Sequence, residues 1–272
     1  MIPFSMDKIR PLLDTLAALD NAILGYSGGV DSSLLAVAAA RALGPDQFLA
    51  VIGRSASYPA VQYAQAVALA RQFDVPLFEM DTRELEDERY RANAPDRCFY
   101  CKHELWSELT SLATERGFSC ILDGTNASDT GEHRPGMRAG AEWHVRSPLA
   151  ELGWTKDQVR EAARSLGIPN WNAPAAPCLA SRIRYGVEVT EERLAQVEQA
   201  EALVRAIGVR GNLRVRHLDT RARVEVDAAE LDLVRAHWET IEHEIAALGF
   251  AAVELDERGY RRGALLAMTA AG

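Results

Sequence analysis

A chain of 272 residues is long for one minimal core and short for three, so one α/β domain with a smaller companion is expected. The sequence is 48% hydrophobic and 25% charged, and no apolar run approaches the roughly 20 residues of a membrane helix. No membrane partner is expected, and MIPFSMDKIRPLL lacks a secretory pattern, so the expected location is the cytoplasm. With 30 basic and 39 acidic side chains the formal charge is −9, which argues against broad binding of nucleic acid. Four cysteines do not make a disulfide framework at this length, and in a reducing compartment they read as metal-binding, catalytic or buried thiols.

Apolar residues over 9–19 fall at helical spacing, 22–26 reads as a short buried strand, and a helix is expected over 31–43. A strand at 48–52, a helix at 59–73 and a strand at 77–80 follow. This alternation implies a parallel sheet with right-handed crossovers. The charged stretch 83–97 reads as a loop or irregular helix. A helix over 102–116, strands at 119–123 and 143–147 and a helix over 155–166 then complete an α/β fold, a doubly wound, mostly parallel sheet of about five strands. The run PNWNAPAAP, 169–177, holds too much proline and asparagine for regular structure and reads as an exposed functional loop leading to Cys178. Beyond residue 185 the pattern becomes helix 190–207, strands 213–217 and 221–226, helix 229–248 and strand 251–255. The expected division is an α/β domain over 1–182 and a small α+β domain over 183–272 for substrate binding and oligomerisation.

Between the first strand and its helix stands SGGVDS, residues 27–32. Adjacent glycines let backbone amides approach an oxyanion, and the helix N-terminus adds partial positive charge. The motif is neither a Walker A loop nor a dinucleotide fingerprint. It resembles the pyrophosphatase loop (PP-loop) of the N-type ATP pyrophosphatases, which split ATP between its α and β phosphates. That resemblance implies phosphate contacts from Ser27, Gly28, Gly29, Asp31 and Ser32, with Asp31 also near Mg²⁺. It further implies contacts to ATP from Thr125, Asn126 and Asp129 in GTNASD, and an approach to adenine by Arg54 and Ser55. His133 to Gly136, HRPG, would line the nucleotide pocket or form a polar turn.

RCFYCK puts Cys98 and Cys101 three positions apart, a spacing that lets two thiolates hold one metal centre. Cys178 lies in PCLASRIRYG beside Arg182 and Arg184, whose charge favours thiolate; Cys120, within SCILD, reads as core. Together SGGVDSSLLA, RCFYCK and PCLASRIRYG closely resemble the LarE family of ATP-dependent sulfur transferases, and the likeness runs through nearly the whole chain.

This resemblance implies adenylation of a carboxylate of pyridinium-3,5-biscarboxylic acid mononucleotide by MgATP and its conversion to a thiocarboxylate, in the biosynthesis of the nickel-pincer nucleotide of lactate racemase. It implies one of two sulfur sources: Cys178 itself, consumed to dehydroalanine, or a [4Fe-4S] cluster on Cys98, Cys101 and Cys178. The presence of all three thiols favours the cluster; a zinc or redox CxxC beside a sacrificial Cys178 is the competing arrangement. The family also implies a homo-oligomer, a hexamer.

In the small domain, LRVRH alternates so that Arg214 and Arg216 share one strand face, and forked guanidinium donors suit phosphate. A solvated face is the alternative; the resemblance favours substrate phosphate, with Arg182 beside it, and implies that Glu201 and Glu225 hold a second metal or make a subunit contact. His217 reads as structural. Other expectations for such a chain are an ammonia-dependent synthetase, a cluster-dependent tRNA thiolase, or a nucleotide-binding regulatory module without turnover.

Overall fold

The structure, a computed structural model, describes residues 6–129, 135–174 and 177–261. In chain order its elements are α1 (Met6–Ala17), β1 (Ala22–Gly25), α2 (Val30–Leu43), β2 (Phe48–Arg54), α3 (Ala60–Gln72), β3 (Leu77–Asp81), α4 (Glu88–Arg91), α5 (Arg97–Arg116), β4 (Ile121–Leu122), α6 (Pro135–Glu142), α7 (Pro148–Glu151), α8 (Lys156–Ser165), α9 (Glu191–Ala206), β5 (Leu213–His217), β6 (Arg221–Val226), α10 (Leu231–Ala236), α11 (Trp238–Ala247) and β7 (Ala252–Leu255). They form two compact units, one from the described parts of Met1–Ser55, Ala60–Glu84 and Cys98–Ala176, the other from those of Ala56–Pro59, Leu85–Arg97 and Pro177–Gly272.

The first unit is an α/β layer structure. Its sheet runs β3-β2-β1-β4 with every pairing parallel, and Ile23 stands opposite both Leu49 and Ile121. β1, AILG, is buried through Leu24, as a central parallel strand covered on both faces must be. α2 is buried nearly all round, from Val30 and Ser32 to Ala39, so its alanines and leucines serve as core rather than as an amphipathic stripe. Gly25 ends β1 where a Cβ would lie 2.7 Å from Trp106, which α5 inserts among Ile23, Val51 and Leu109. A capping box starts α8: Gln158 N donates to the Thr155 hydroxyl (3.4 Å) and Thr155 N to the Gln158 carboxamide (2.8 Å).

Two local expectations change. The strand expected at 143–147 reduces to a parallel bridge between Leu122 and Arg146, leaving four strands in this sheet among the described residues. The amides of Trp143, His144 and Val145 donate to Ala139, Ala141 and Gly140, so these residues complete the final turn of α6 instead of a ladder. α5 begins at Arg97, earlier than expected, so Cys98 and Cys101 both belong to the start of the helix.

In the second unit β5 pairs antiparallel with β6, and β6 parallel with β7. Leu213, Val215, Ala222, Val224 and Val226 pack with Val204, Ile241, Ile245 and Phe250 in its core. The helix expected over 229–248 breaks at His237, which closes α10 and opens α11. The charged stretch before α5 belongs largely to this unit. There Asn93, fully buried at φ 53°, donates to the carbonyls of Arg184 (2.9 Å) and Val187 (2.8 Å), and its own carbonyl accepts from Gly186 N (3.1 Å).

His217 is buried on β5, 3.0 Å from Gln196 Oε1 and edge-on to Phe250. Burial, reinforced by the charge of Arg193, pushes its imidazole down to about 4. The fold therefore holds the neutral ring. Its contribution is complete above the ordinary histidine value and declines as pH falls from about 6.5 toward 4, by up to about 3 kcal/mol. Urea unfolding at pH 7 and 4.5 is expected to show a smaller pH dependence in His217→Gln than in the wild type.

Candidate active site

The loop after β1 is shaped by backbone more than by side chains. Gly28 takes φ 65° and Gly29 is extended at φ −69°, ψ 160°, which turns the chain from strand to helix within four residues. Ser32 stitches the turn: its hydroxyl accepts from Ser27 N (3.2 Å), donates to Gly29 O (3.1 Å) and lies 3.1 Å from the Ser27 hydroxyl. The first amides of α2 have no intrahelical acceptors and carry the positive end of the helix, an arrangement that binds phosphate oxygens.

Four segments of the first unit converge on this loop. At the exit of β4, Asp123 accepts from Thr125 N (3.0 Å), the Thr125 hydroxyl (2.8 Å) and the Ser147 hydroxyl (2.6 Å). Gly124 lies so close to α2 that a Cβ there would stand 2.8 Å from Ser32 N. The buried Asn126 amide bridges two carboxylates, donating to Asp31 Oδ1 (3.0 Å) and Asp129 Oδ2 (2.8 Å). Lys156, the first residue of α8, donates through Nζ to Asp31 Oδ2, while its backbone N–H donates to the Ser128 hydroxyl (3.1 Å). From the proline-rich stretch, Asn170 Nδ2 donates to Gly28 O (2.7 Å).

Of the nucleotide residues expected from sequence, Ser27, Gly28, Gly29, Asp31, Ser32, Thr125, Asn126 and Asp129 thus stand together. Arg54 is at the far end of β2, where Nε donates to Asp81 Oδ1 (2.7 Å) and Nη1 lies 3.6 Å from Glu79. His133 and Arg134 lie outside the described residues.

None of the four cysteines is in a disulfide. Cys98 is exposed and Cys101 half-buried, one helical turn apart at the start of α5. Cys120 is half-buried, and burial raises its thiol against the opposing charge of Arg146. In the second unit Cys178 precedes the 3₁₀ turn Leu179–Arg182. That turn is anchored through its main chain: Leu179 N donates to Ser57 O (2.8 Å), Arg97 Nη1 to Ala180 O (2.8 Å), and the Ser181 hydroxyl to Cys178 O (2.7 Å). Among the described residues no three potential ligands from Cys, His, Asp and Glu gather into a metal site.

The polar face of β5 and β6 is buried rather than solvated. Arg182 and Arg216 are each at most 5% exposed, Arg214 6% and Glu225 0%. Arg182 grips both oxygens of Glu201 (2.9 and 3.1 Å) and donates to Cys178 O (3.1 Å). Arg216 donates to Glu225 Oε2 (2.9 Å) and to Ser181 O (3.2 Å). Arg214 lies 5.3 Å over the Tyr260 ring; burial and the Arg182 charge pull its guanidinium down to about 10. Guanidinium groups of this kind, held in a fixed and largely dry array, suit an anion. Both carboxylates, expected as metal ligands, are engaged by arginines, although Glu225 Oε1 is buried without a hydrogen bond.

The NAD synthase family matches residues 3–95. A pyridinium-3,5-bisthiocarboxylic acid mononucleotide synthase of Lactiplantibacillus plantarum is 32% identical over 256 residues, covering 94% of this chain and 92% of that protein. The chain belongs to the LarE family. An uncharacterized protein of Synechocystis sp. is 36% identical over 260 residues, 95% of this chain and 96% of its own. At greater distance, one chain of the glutamine-hydrolyzing GMP synthase of Thermococcus kodakarensis is 27% identical over 282 residues, 88% of this chain and 89% of its own. The LarE-family chain is accordingly an ATP-dependent enzyme of the PP-loop type.

Sequence reading of this LarE member missed Lys156, Asn170 and Gly124. Lys156 carried a usable signal, as a cation at the first position of a well-capped helix; the other two declare themselves only through contacts far along the chain. Gly124→Ala is expected to force the β4 exit away from α2 and destabilise the protein by about 1–3 kcal/mol, read as a lowered midpoint of denaturant unfolding.

Proposed function

We propose that the protein is an ATP-dependent sulfur transferase that adenylates a carboxylate of pyridinium-3,5-biscarboxylic acid mononucleotide and converts it to a thiocarboxylate, in nickel-pincer nucleotide biosynthesis. The observation that carries this reading is the combination, in a LarE-family chain, of a phosphate loop holding Asp31 with a free Cys178 on an arginine-anchored turn.

In the first half-reaction a substrate carboxylate oxygen attacks the α phosphorus of ATP, the bond between the α phosphorus and the bridging oxygen breaks, and pyrophosphate departs on the loop amides. The proximity of Asp31 and Asp129, joined by Asn126, suits a Mg²⁺ held by one or two carboxylates and the phosphates. A Mg²⁺ held there would supply charge neutralisation, and the Lys156 ammonium offers a further cation to the leaving group. The buried arginines Arg182, Arg214 and Arg216 suit the substrate phosphate.

In the second half-reaction sulfur attacks the acyl carbon and AMP leaves. If Cys178 is the donor, its thiolate forms the thioester; the Cα proton then passes to a base and the Cβ–S bond breaks, leaving dehydroalanine and the thiocarboxylate. The three-thiol set favours a [4Fe-4S] centre on Cys98, Cys101 and Cys178, which when bound supplies an additional sulfide, so the chain survives turnover.

Anaerobic assay of the reconstituted protein with MgATP, the biscarboxylated mononucleotide and sulfide, reading thiocarboxylate per chain and intact mass, tests the proposal. More than one product per chain without mass loss identifies the cluster route. At most one, with a mass loss matching H₂S, identifies sacrifice of Cys178, and no product overturns the assignment. Asp31→Asn is expected to cut pyrophosphate release by at least about 100-fold, an effect of the size seen when one charge-stabilising group is removed. Cys178→Ser is expected to retain pyrophosphate release while yielding no thiocarboxylate.

A further inference from the structure

The stretch 169–177 is rich in proline and asparagine, and the proposed half-reactions give it no work. Its first turn is well built. After α8, Gly167 reverses the chain at φ 73° and Ile168 is fully buried. Trp171 N donates to Ile168 O (3.2 Å), Ala173 N donates to Asn170 O (3.0 Å), and the Trp171 ring lies under Arg164 (4.9 Å). Asn170 is thereby fixed at the apex of a turn, and its side chain reaches back 142 residues to Gly28.

The geometry points to Asn170 as a positioning residue for the phosphate loop. The carbonyl and the N–H of a trans peptide point in opposite directions. By donating to Gly28 O at 2.7 Å, Asn170 fixes the peptide between Gly28 and Gly29 with its carbonyl toward the amide and the Gly29 N–H away from it. The two glycines do not enforce that choice themselves. Gly28 is at φ 65°, and neither glycine has a side chain to bias the rotation of the peptide plane between them. The same nitrogen lies 3.4 Å from the Ser33 hydroxyl, on the first turn of α2, so the amide tethers both sides of the loop. Asn170 Oδ1 is buried without a hydrogen-bond partner, so the carboxamide is oriented by what its nitrogen does. A reversed peptide would turn a carbonyl oxygen, instead of an N–H, toward a bound anion, and each such reversal converts an attraction into a repulsion.

This inference rests on the reading of the loop as the pyrophosphate site, and the test separates the two. Equilibrium binding of inorganic pyrophosphate, MgATP and adenosine to the full chain is measured for the wild type, Asn170→Ala and Asn170→Asp. Asn170→Ala is expected to bind pyrophosphate and MgATP about tenfold more weakly, with adenosine unchanged. Asn170→Asp keeps the shape but sets a carboxylate oxygen against Gly28 O, and is expected to be weaker still at pH 7. A residue that merely fills space would tolerate the isosteric Asp, so Asp binding as well as the wild type overturns the proposal. Equal losses for adenosine and pyrophosphate also overturn it, as a general disturbance of the fold. Pyrophosphate failing to bind the wild type would instead overturn the underlying reading of the loop, and this inference with it. Should Asn170→Ala fail to fold, the comparison of Asn170→Asp with the wild type decides alone.

Discussion

The first unit is organised by one constraint: the anion site proposed for it is made of main-chain amides, so the backbone itself has to be brought to the ligand. Side chains must then be absent where the loop turns and where its neighbours approach. Gly28 supplies the left-handed residue, Gly124 the close pass of the β4 exit over Ser32, and Gly25 the space that Trp106 occupies beneath the loop. The burial of α2 follows from the same need, because a helix whose N-terminus must stay in register with a strand end is best held from all sides. Asp31 is the charged group placed within this frame, and it is immobilised by an amide and an ammonium from two other segments.

The second unit solves a different problem. Its sheet has an ordinary apolar face and a second face where guanidinium groups are buried beside carboxylates. Buried ion pairs are poor sources of net stability, since desolvation consumes most of the attraction. Their presence here is better understood as the cost of holding several positive charges in a fixed array. The hydrogen bonds from Arg182 and Arg216 to the carbonyls of Cys178 and Ser181 tie that array to the turn that bears the thiol.

Much of the first unit was legible in the sequence because parallel strands and crossover helices are read from local periodicity, and SGGVDS marks the strand end that carries the loop. The two cysteine motifs were equally local. What escaped was set by long-range contacts. Lys156 is 125 residues from Asp31 and Asn170 is 142 from Gly28, and neither stands in a pattern that names its partner. The membership of 85–97 in the second unit rests on contacts some 83 to 98 residues along the chain, among them the buried Asn93 donating to Arg184 O and Val189 N donating to Arg91 O. The lost strand at 143–147 was apolar enough to pair, but the preceding helix claimed its amides first.

The turn at Cys178 is held entirely by groups other than its sulfur. Arg182 and Ser181 hold its carbonyl, and Ser57 and Arg97 hold the two residues that follow. The scaffold is therefore indifferent to what residue 178 carries beyond Cβ. Loss of the sulfur atom would leave each of these hydrogen bonds with its donor and acceptor in place, so the mount would outlast the head it carries. On the sacrificial route, spent and fresh copies would compete for the same nucleotides, so the fraction of the population still bearing sulfur, rather than the amount of folded protein, would set the working capacity of the pool.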